Sequence, residues 1–132
     1  MRILLDTHVL IGLAHAPDRI AEAAREMIAD PSSTLYISPA SIWEMTIKCR
    51  LGKLDLGTDV VSFARTAYLE LAALELPLVL DHFGHLSELP LYHHDPFDRL
   101  ILAQARSERL DLATADGVFD AYAEAGVSLL RC

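Results

Sequence analysis

The chain alternates short apolar runs with longer segments of helical period. Arg2 to Leu5 is one such run, and it ends at Asp6-Thr7. That is the pattern of a buried strand followed by a helix start. Residues 18–30 place Ile20, Ala23, Ala24, Met27 and Ile28 on one face, which predicts an amphipathic helix broken by Pro31-Ser32-Ser33. Leu35 to Ile37 predicts a second strand. Ser38-Pro39 then opens a helix, with Ser38 as N-cap and Pro39 at the first helical position, running to Leu51 and stopping at Gly52. Further helices are predicted over 59–73 and 81–89, with a third strand at Leu74 to Leu76 closed by Pro77. Asp95-Pro96 starts the clearest helix, through Arg109. Leu110 to Thr114 and Val127 to Leu130 are the last strands, with Asp116-Gly117 as a turn between them.

These strands are apolar throughout and show no in–out alternation. Strands of that kind belong to a parallel sheet covered on both faces, so the expected fold is α/β, with helices on either side of a mainly parallel sheet. Ligands in such folds sit beyond the carboxyl ends of the strands, and chemistry is to be sought there. The 132 residues are expected to form a single domain, residues 1–132, because single cores run to ~100–200 residues. No repeat, low-complexity tract or Pro/Gly/Ser linker divides them. At 52% hydrophobic and 23% charged, the chain is neither disordered nor a disulfide scaffold. No apolar run approaches the ~20 residues of a membrane span. An acidic residue at position 6 comes too early for a signal peptide. Cys49 and Cys132 have no metal-ligand spacing and are expected to be reduced thiols of a cytoplasmic protein.

Charge changes this picture. Lys and Arg number 11 against 19 Asp and Glu, a net charge of −8, which excludes nucleic-acid binding through a bulk basic surface. The distribution is uneven. No Lys or Arg stands between Arg65 and Arg99, while Glu70, Glu75, Asp81, Glu88, Asp95 and Asp98 do. Lys48, Arg50 and Lys53 fall within six residues.

Four carboxylates stand where the fold would gather them. Asp6 directly follows the first strand, and Asp116 follows the strand ending at Thr114. Glu44 and Asp98 lie in the first two turns of helices. Each has an ordinary structural role: Asp6 as an N-cap, Glu44 as a solvent-facing residue, Asp98 as a helix-start carboxylate and Asp116 as a turn residue. Glu44, however, lies beside the apolar face of Ile42, Met45 and Cys49, where an unpaired carboxylate is costly. All four can face one crevice at the carboxyl edge of the sheet. Carboxylates that close repel and raise one another's pKa values, and Arg99 is the main cation expected nearby. A hard divalent ion with oxygen ligands, Mg²⁺ or Mn²⁺, would neutralise them, and would polarise a phosphoryl oxygen and activate water.

The residues themselves resemble a known family. Leu5-Asp6-Thr7-His8-Val9-Leu10 resembles the opening motif of PIN-domain proteins. Ser38-Pro39-Ala40-Ser41-Ile42-Trp43-Glu44-Met45 is similar to their second motif, and the run from Lys48 to Leu54 to the stretch that follows it in one bacterial branch. His94 to Ala105 closely resembles the third motif of that branch, and Leu112-Ala113-Thr114-Ala115-Asp116 the fourth. The motifs run in family order over residues 3–116. One position departs: Gly12 stands where the branch often carries Trp, which would loosen the packing of the first helix.

The resemblance implies a three-layer α/β/α sandwich and a Mg²⁺- or Mn²⁺-dependent ribonuclease of the VapC type, the toxin of a bacterial toxin–antitoxin pair. Carried over by position, Asp6, Glu44, Asp98 and Asp116 would be both the catalytic and the metal-binding acids. Asp98 is chosen over Asp95 because it aligns with the family's third acid, which leaves Asp95 as an N-cap. Thr7, Ser41 and Thr114 would be supporting hydroxyls that orient carboxylates or waters. Lys48, Arg50, Lys53 and Arg99 would be the residues to meet RNA phosphates. Partners would be the RNA, an antitoxin and a second copy in a homodimer, with no membrane.

His93 and His94 read as polar residues of the loop ahead of the N-cap, and Trp43 as a core residue on an apolar helix. Two alternatives remain. A catalytically inactive interaction domain would more naturally lack an acid, yet all four are present. A phosphoaspartyl phosphohydrolase with Asp6 as nucleophile would need an acid two residues on, where this chain has His8.

Overall fold

The computed structural model describes all 132 residues. Five strands form one sheet: β1 (Arg2–Leu5), β2 (Thr34–Ile37), β3 (Leu74–Glu75), β4 (Asp111–Thr114) and β5 (Ser128–Arg131). Every neighbouring pair is parallel, and the order is β3-β2-β1-β4-β5. Six α-helices cover it: α1 (Thr7–His15), α2 (Glu22–Ala29), α3 (Pro39–Arg50), α4 (Val60–Glu70), α5 (Leu80–Glu88) and α6 (Pro96–Glu108). No helix is long and apolar enough to cross a membrane.

The uninterrupted apolar strands have a direct cause. Ile3 and Leu5 of β1 pack with Val9, Leu10, Ile37, Met45 and Phe63 on one face. Leu4, between them, packs with Leu102, Leu112, Phe119 and Tyr122 on the other. Alternate residues point to opposite faces, and both faces are core, so neither register position can be polar. The sheet is the middle of three layers, as the α/β reading requires.

Two segments depart from the sequence pattern. Residues 18–30 are not one helix. Pro17–Arg19 is a single 3₁₀ turn, Ile20 is extended, and α2 begins only at Glu22. The backbone N–H of Ala21 donates to the carbonyl of Cys132 at 3.2 Å, which ties this point to the C-terminal residue and interrupts the helix. Of the predicted face, Ile20, Ala24 and Ile28 are buried, while Ala23 and Met27 are exposed. Asp116-Gly117 is not a plain turn either. Asp116 caps a 3₁₀ helix over Gly117–Ala125, whose buried residues Phe119 and Tyr122 stand three apart, the period of that helix.

One buried polar group welds the layers near the carboxyl edge. Gln104 of α6 is fully buried; its Nε2 donates to the Leu76 carbonyl at 3.1 Å, and its Oε1 accepts from the Ser38 hydroxyl at 2.5 Å. Ser38 Oγ in turn caps α3 by accepting from Ala40 N. Gln104→Met keeps the side-chain volume but leaves Ser38 and Leu76 without their partner. It is expected to cost about 1–3 kcal/mol in urea unfolding. A neutral Gln104→Met would show that the network contributes nothing beyond packing.

Candidate active site

In the order β3-β2-β1-β4-β5 the chain leaves β1 toward one side and β4 toward the other. The crevice of such a sheet opens at that switch point, beyond the carboxyl ends of β1 and β4. Asp6 stands immediately after β1, and its backbone N–H donates to Ala113 of β4 at 3.1 Å. It caps α1 by accepting from Val9 N at 2.7 Å. Thr114, fully buried at the end of β4, hydrogen-bonds the Asp6 carboxylate and accepts from Asp116 N at 3.1 Å. One hydroxyl thus orients the first acid and the approach to the last.

Asp98 lies in the first turn of α6. Asp95 caps that helix, accepting from Phe97 N and Asp98 N at 2.9 and 3.0 Å. With Asp95 engaged in the cap, Asp98 is the one that turns inward. Its Oδ2 meets His93 Nε2 at 2.6 Å. His93, Asp98 and Asp116 each offer a ligand atom within 4.8 Å of the other two. Asp116 is exposed and also caps its 3₁₀ helix through Val118 N at 2.9 Å.

Glu44 reaches the site from the second turn of α3. It is 1% exposed; Oε2 pairs with Lys48 one turn on, and Oε1 has no hydrogen-bond partner. A buried carboxylate oxygen without a partner is costly, and it marks a place for a cation or a donor. Thr7 and Ser41, both buried, are joined by a 3.0 Å bond from the Thr7 hydroxyl to Ser41 Oγ. That bond ties the start of α1 to α3, between Asp6 and Glu44 in the chain.

The electrostatics agree with a cation site. Burial raises the pKa of Asp6 above the ordinary carboxylate value, against hydrogen bonds from Thr114 and Val9 N, and the charge of Asp98 adds to the rise. Burial also raises Asp98, opposed by the His93 hydrogen bond and reinforced by Asp95 and Glu44. Lys48 is held above the ordinary lysine value, first by its bond to Glu44. An oxygen-rich donor set with raised carboxyls and an orphaned buried oxygen fits a hard or borderline divalent ion.

Three expectations from the sequence need correction. Arg99 is not a cation of the site. Its guanidinium donates to the carbonyls of Leu86, Leu89, Pro90 and His93 and to the Tyr122 hydroxyl, at 2.8–3.4 Å. It clamps the loop between α5 and α6, where open carbonyls need a five-donor fork. The nearby cation is Lys48 instead. Of the other predicted cations, Arg50 and Lys53 are exposed. Lys53 lines, with Lys48, Thr7, His8 and Gly12, a groove of about 480 Å³ beside the acids. His93 is not a free polar loop residue; it bonds Asp98, and its backbone N–H donates to the Tyr122 hydroxyl at 2.8 Å. Trp43 is not core; it is 59% exposed and packs edge-on against Phe97, centroids 5.0 Å apart. Gly12 borders the groove, where an added Cβ would stand 3.5 Å from Ile20 in ordinary contact.

Fold and site together define a class: a three-layer domain with a parallel sheet and carboxylates collected at its carboxyl edge. A model of the PIN domain family matches residues 3–125, and the chain belongs to that family. No curated protein matches it. Among solved structures, it is similar to a chain of Rickettsia felis VapBC2 bound to a promoter DNA fragment, with TM-score 0.71, 15% identity, and coverage of 99% of this chain and 98% of that one. It is also similar to VapBC-1 of nontypeable Haemophilus influenzae, with TM-score 0.65, 19% identity and coverage of 99% and 98%. FitAcB from Neisseria gonorrhoeae matches with TM-score 0.55, 20% identity and coverage of 98% and 96%. At these identities the likeness is one of fold.

The raised carboxyls make a pH prediction. A carboxyl whose pKa is higher folded than unfolded holds its proton better when folded. Its contribution to stability is complete below the unfolded value, near 3.8, and is lost as pH rises through the raised folded value. In metal-free protein, Asp98→Asn is expected to decline less than wild type across that window and to equal or exceed it at pH 7. Urea unfolding from pH 3.5 to 7 measures this. A variant less stable than wild type at pH 7 would assign Asp98 to helix stabilisation instead.

Proposed function

We propose that this chain is a divalent-metal-dependent ribonuclease of the VapC type, with residues 1–132 acting as one nuclease domain. The observation that carries the reading is a set of buried acids, Asp6 and Glu44 each near enough to Asp98 for their charges to interact, with Glu44 Oε1 unpaired and Asp116 within reach of Asp98. Asp6, Asp98 and Asp116 would hold Mg²⁺ or Mn²⁺, with Glu44 as ligand or water positioner. A divalent ion held there polarises a phosphoryl oxygen and activates water.

The rest of the mechanism belongs to the chain's own residues. Thr114 and Val9 N hold the Asp6 carboxylate in one orientation, so the donor set is arranged before substrate arrives. Lys48 keeps Glu44 Oε2 engaged, which leaves Oε1 to accept a hydrogen bond from the attacking water. Attack on phosphorus in line with the 3′ oxygen breaks the P–O3′ bond and leaves a 5′-phosphate and a 3′-hydroxyl. No 2′-hydroxyl takes part. Lys48 and Lys53, lining the groove, would meet the phosphates that flank the scissile one.

Cleavage of RNA is expected with Mg²⁺ or Mn²⁺, with 5′-phosphate ends and none in EDTA. Asp98→Asn should abolish it. Asp95→Asn should retain it, since Asn caps a helix about as well as Asp. Cleavage that survives EDTA, or a 2′,3′-cyclic phosphate product, would overturn this mechanism. Reversed behaviour of the two variants would move the site to Asp95.

The partners are proposed with it. Three of the structural neighbours are described as VapBC or FitAB assemblies, two of them on DNA. An antitoxin segment would lie in the groove beside α1 and bring an Arg or Lys to the acids. A homodimer would cover Trp43, Ile47 and Leu51, which stand four apart along α3 and its C-cap and are 59%, 36% and 61% exposed. Light scattering of wild type should give a dimer, and Trp43→Glu should shift it to monomer with its melting curve retained. A monomeric wild type at high concentration would remove the dimer.

A further inference from the structure

The carboxylates are not the whole donor set. We propose that His93 is an inner ligand of the metal centre, so that the site selects Mn²⁺, and the divalent ions after it in the first transition row, over Mg²⁺. The inference rests on the metal-dependent reading above and adds to it a nitrogen donor and a metal preference.

Position is the first argument. Nε2 of His93 lies 2.6 Å from Asp98 Oδ2, and the ligand atoms of His93, Asp98 and Asp116 all fall within 4.8 Å of one another. Two donors sharing an ion at ~2.1 Å stand at most ~4.2 Å apart, so a side-chain adjustment of under ~1 Å closes this set. The second argument is Glu44 Oε1. It is buried, has no partner, and belongs to a residue close enough to Asp98 to act on its charge. An imidazole and two carboxylates converge from separate segments of the chain, and Glu44 borders them closely enough for its charge to act on Asp98.

The third argument is how firmly His93 is held. Its backbone N–H donates to Tyr122, its carbonyl accepts from Arg99, and its ring packs edge-on against Phe119 at 5.7 Å. The Tyr122 hydroxyl also donates to Pro90 at 2.9 Å, and Arg99 bonds the same carbonyl at 2.8 Å. A loop residue with this much support is a preorganised donor, the condition for a ligand on an irregular segment. The chemistry then sets the preference. Oxygen-only sites suit Mg²⁺, whereas an imidazole nitrogen strengthens binding of the later divalent ions far more than that of Mg²⁺.

The competing role is a positioning one, in which His93 only donates Nε2–H to Asp98. Loss of such a partner also weakens a metal site, by ~10–100-fold, so the size of a defect does not decide. The deciding measurements are titrations of Mn²⁺ and of Mg²⁺ into full-length wild type and His93→Gln, with pulsed EPR of the Mn²⁺-loaded wild type. Gln can donate to Asp98 but is a poor ligand. The expected result is a ¹⁴N coupling to Mn²⁺ in wild type, a Mn²⁺ affinity at least ~10-fold weaker in His93→Gln, and a Mg²⁺ affinity changed less than ~3-fold. The EPR measurement needs no variant to fold. Mn²⁺ bound without nitrogen coupling, or with wild-type affinity in His93→Gln, overturns the ligand role and leaves the metal-dependent reading intact. Wild type that binds neither ion overturns both.

Discussion

Carboxylates buried at the carboxyl end of a parallel sheet are the constraint on which the rest of this structure depends. Asp6 and Asp98 sit at 2% and 8% exposure, in a crevice that the strand order creates. Burial alone makes their charged forms unfavourable, and their proximity makes it worse. The chain answers with hydrogen bonds where it can, from Thr114, Val9 N and His93. It supplies one nearby ammonium, Lys48, which is committed to Glu44. The arrangement is therefore incomplete as a purely structural feature. A native fold rarely keeps several buried acids and an orphaned oxygen together without a role for them.

The acids also do ordinary structural work, and that economy explains how so small a chain holds the site. Asp6 caps α1 and Asp116 caps the 3₁₀ helix, each with one oxygen engaged on a backbone N–H. Asp95 takes the cap of α6, which frees Asp98 to face inward one turn later. Each cap fixes the side-chain direction of its acid, so secondary structure itself preorganises the donors. The cost of cap and site being one residue is that substitutions at Asp6 and Asp116 mix two effects. Asp98 separates them, because its neighbour carries the cap.

The fold was legible because both faces of the sheet are core. Apolar runs at Arg2–Leu5 and Leu110–Thr114 leave no room for another class, and caps at Ser38 and Asp95 mark helix starts that the chain then uses. The edge positions of Asp6 and Asp116 were legible too, since residues just after strands must lie at the sheet's edge. What local pattern does not carry is what side chains do across loops. Arg99 stands next to Asp98 in sequence, yet at successive positions on a helix the two point apart, and Arg99 reaches the α5–α6 loop. His93 looks like loop filler until Tyr122, twenty-nine residues away, is seen to hold its backbone. Trp43 has an apolar setting along the chain but lies on the outer side of α3, whose inner side is taken by Ala40, Ser41, Glu44 and Met45. All three misreadings are failures of the same kind: identity was read without direction.

The proposed RNA substrate is compatible with the overall charge of −8 through distribution rather than total. Long-range steering needs a basic face, and this chain has none to offer beyond the end of α3. Short-range binding needs only that the few cations stand where phosphates would pass. On the proposed function Lys48 and Lys53 would, from the wall of the groove that adjoins the acids, while Arg99 is withdrawn to the loop it clamps. A phosphate that approaches the crevice meets these ammoniums at the wall, and at the floor the carboxylates repel it unless a cation intervenes. On the proposed function, an acidic floor of that kind would make divalent metal a condition of substrate binding as well as of chemistry. The same floor suits an inhibitor that brings its own positive charge. Ion, substrate and protein inhibitor would then compete for one electrostatic deficit, set by burying Asp6, Glu44 and Asp98 together.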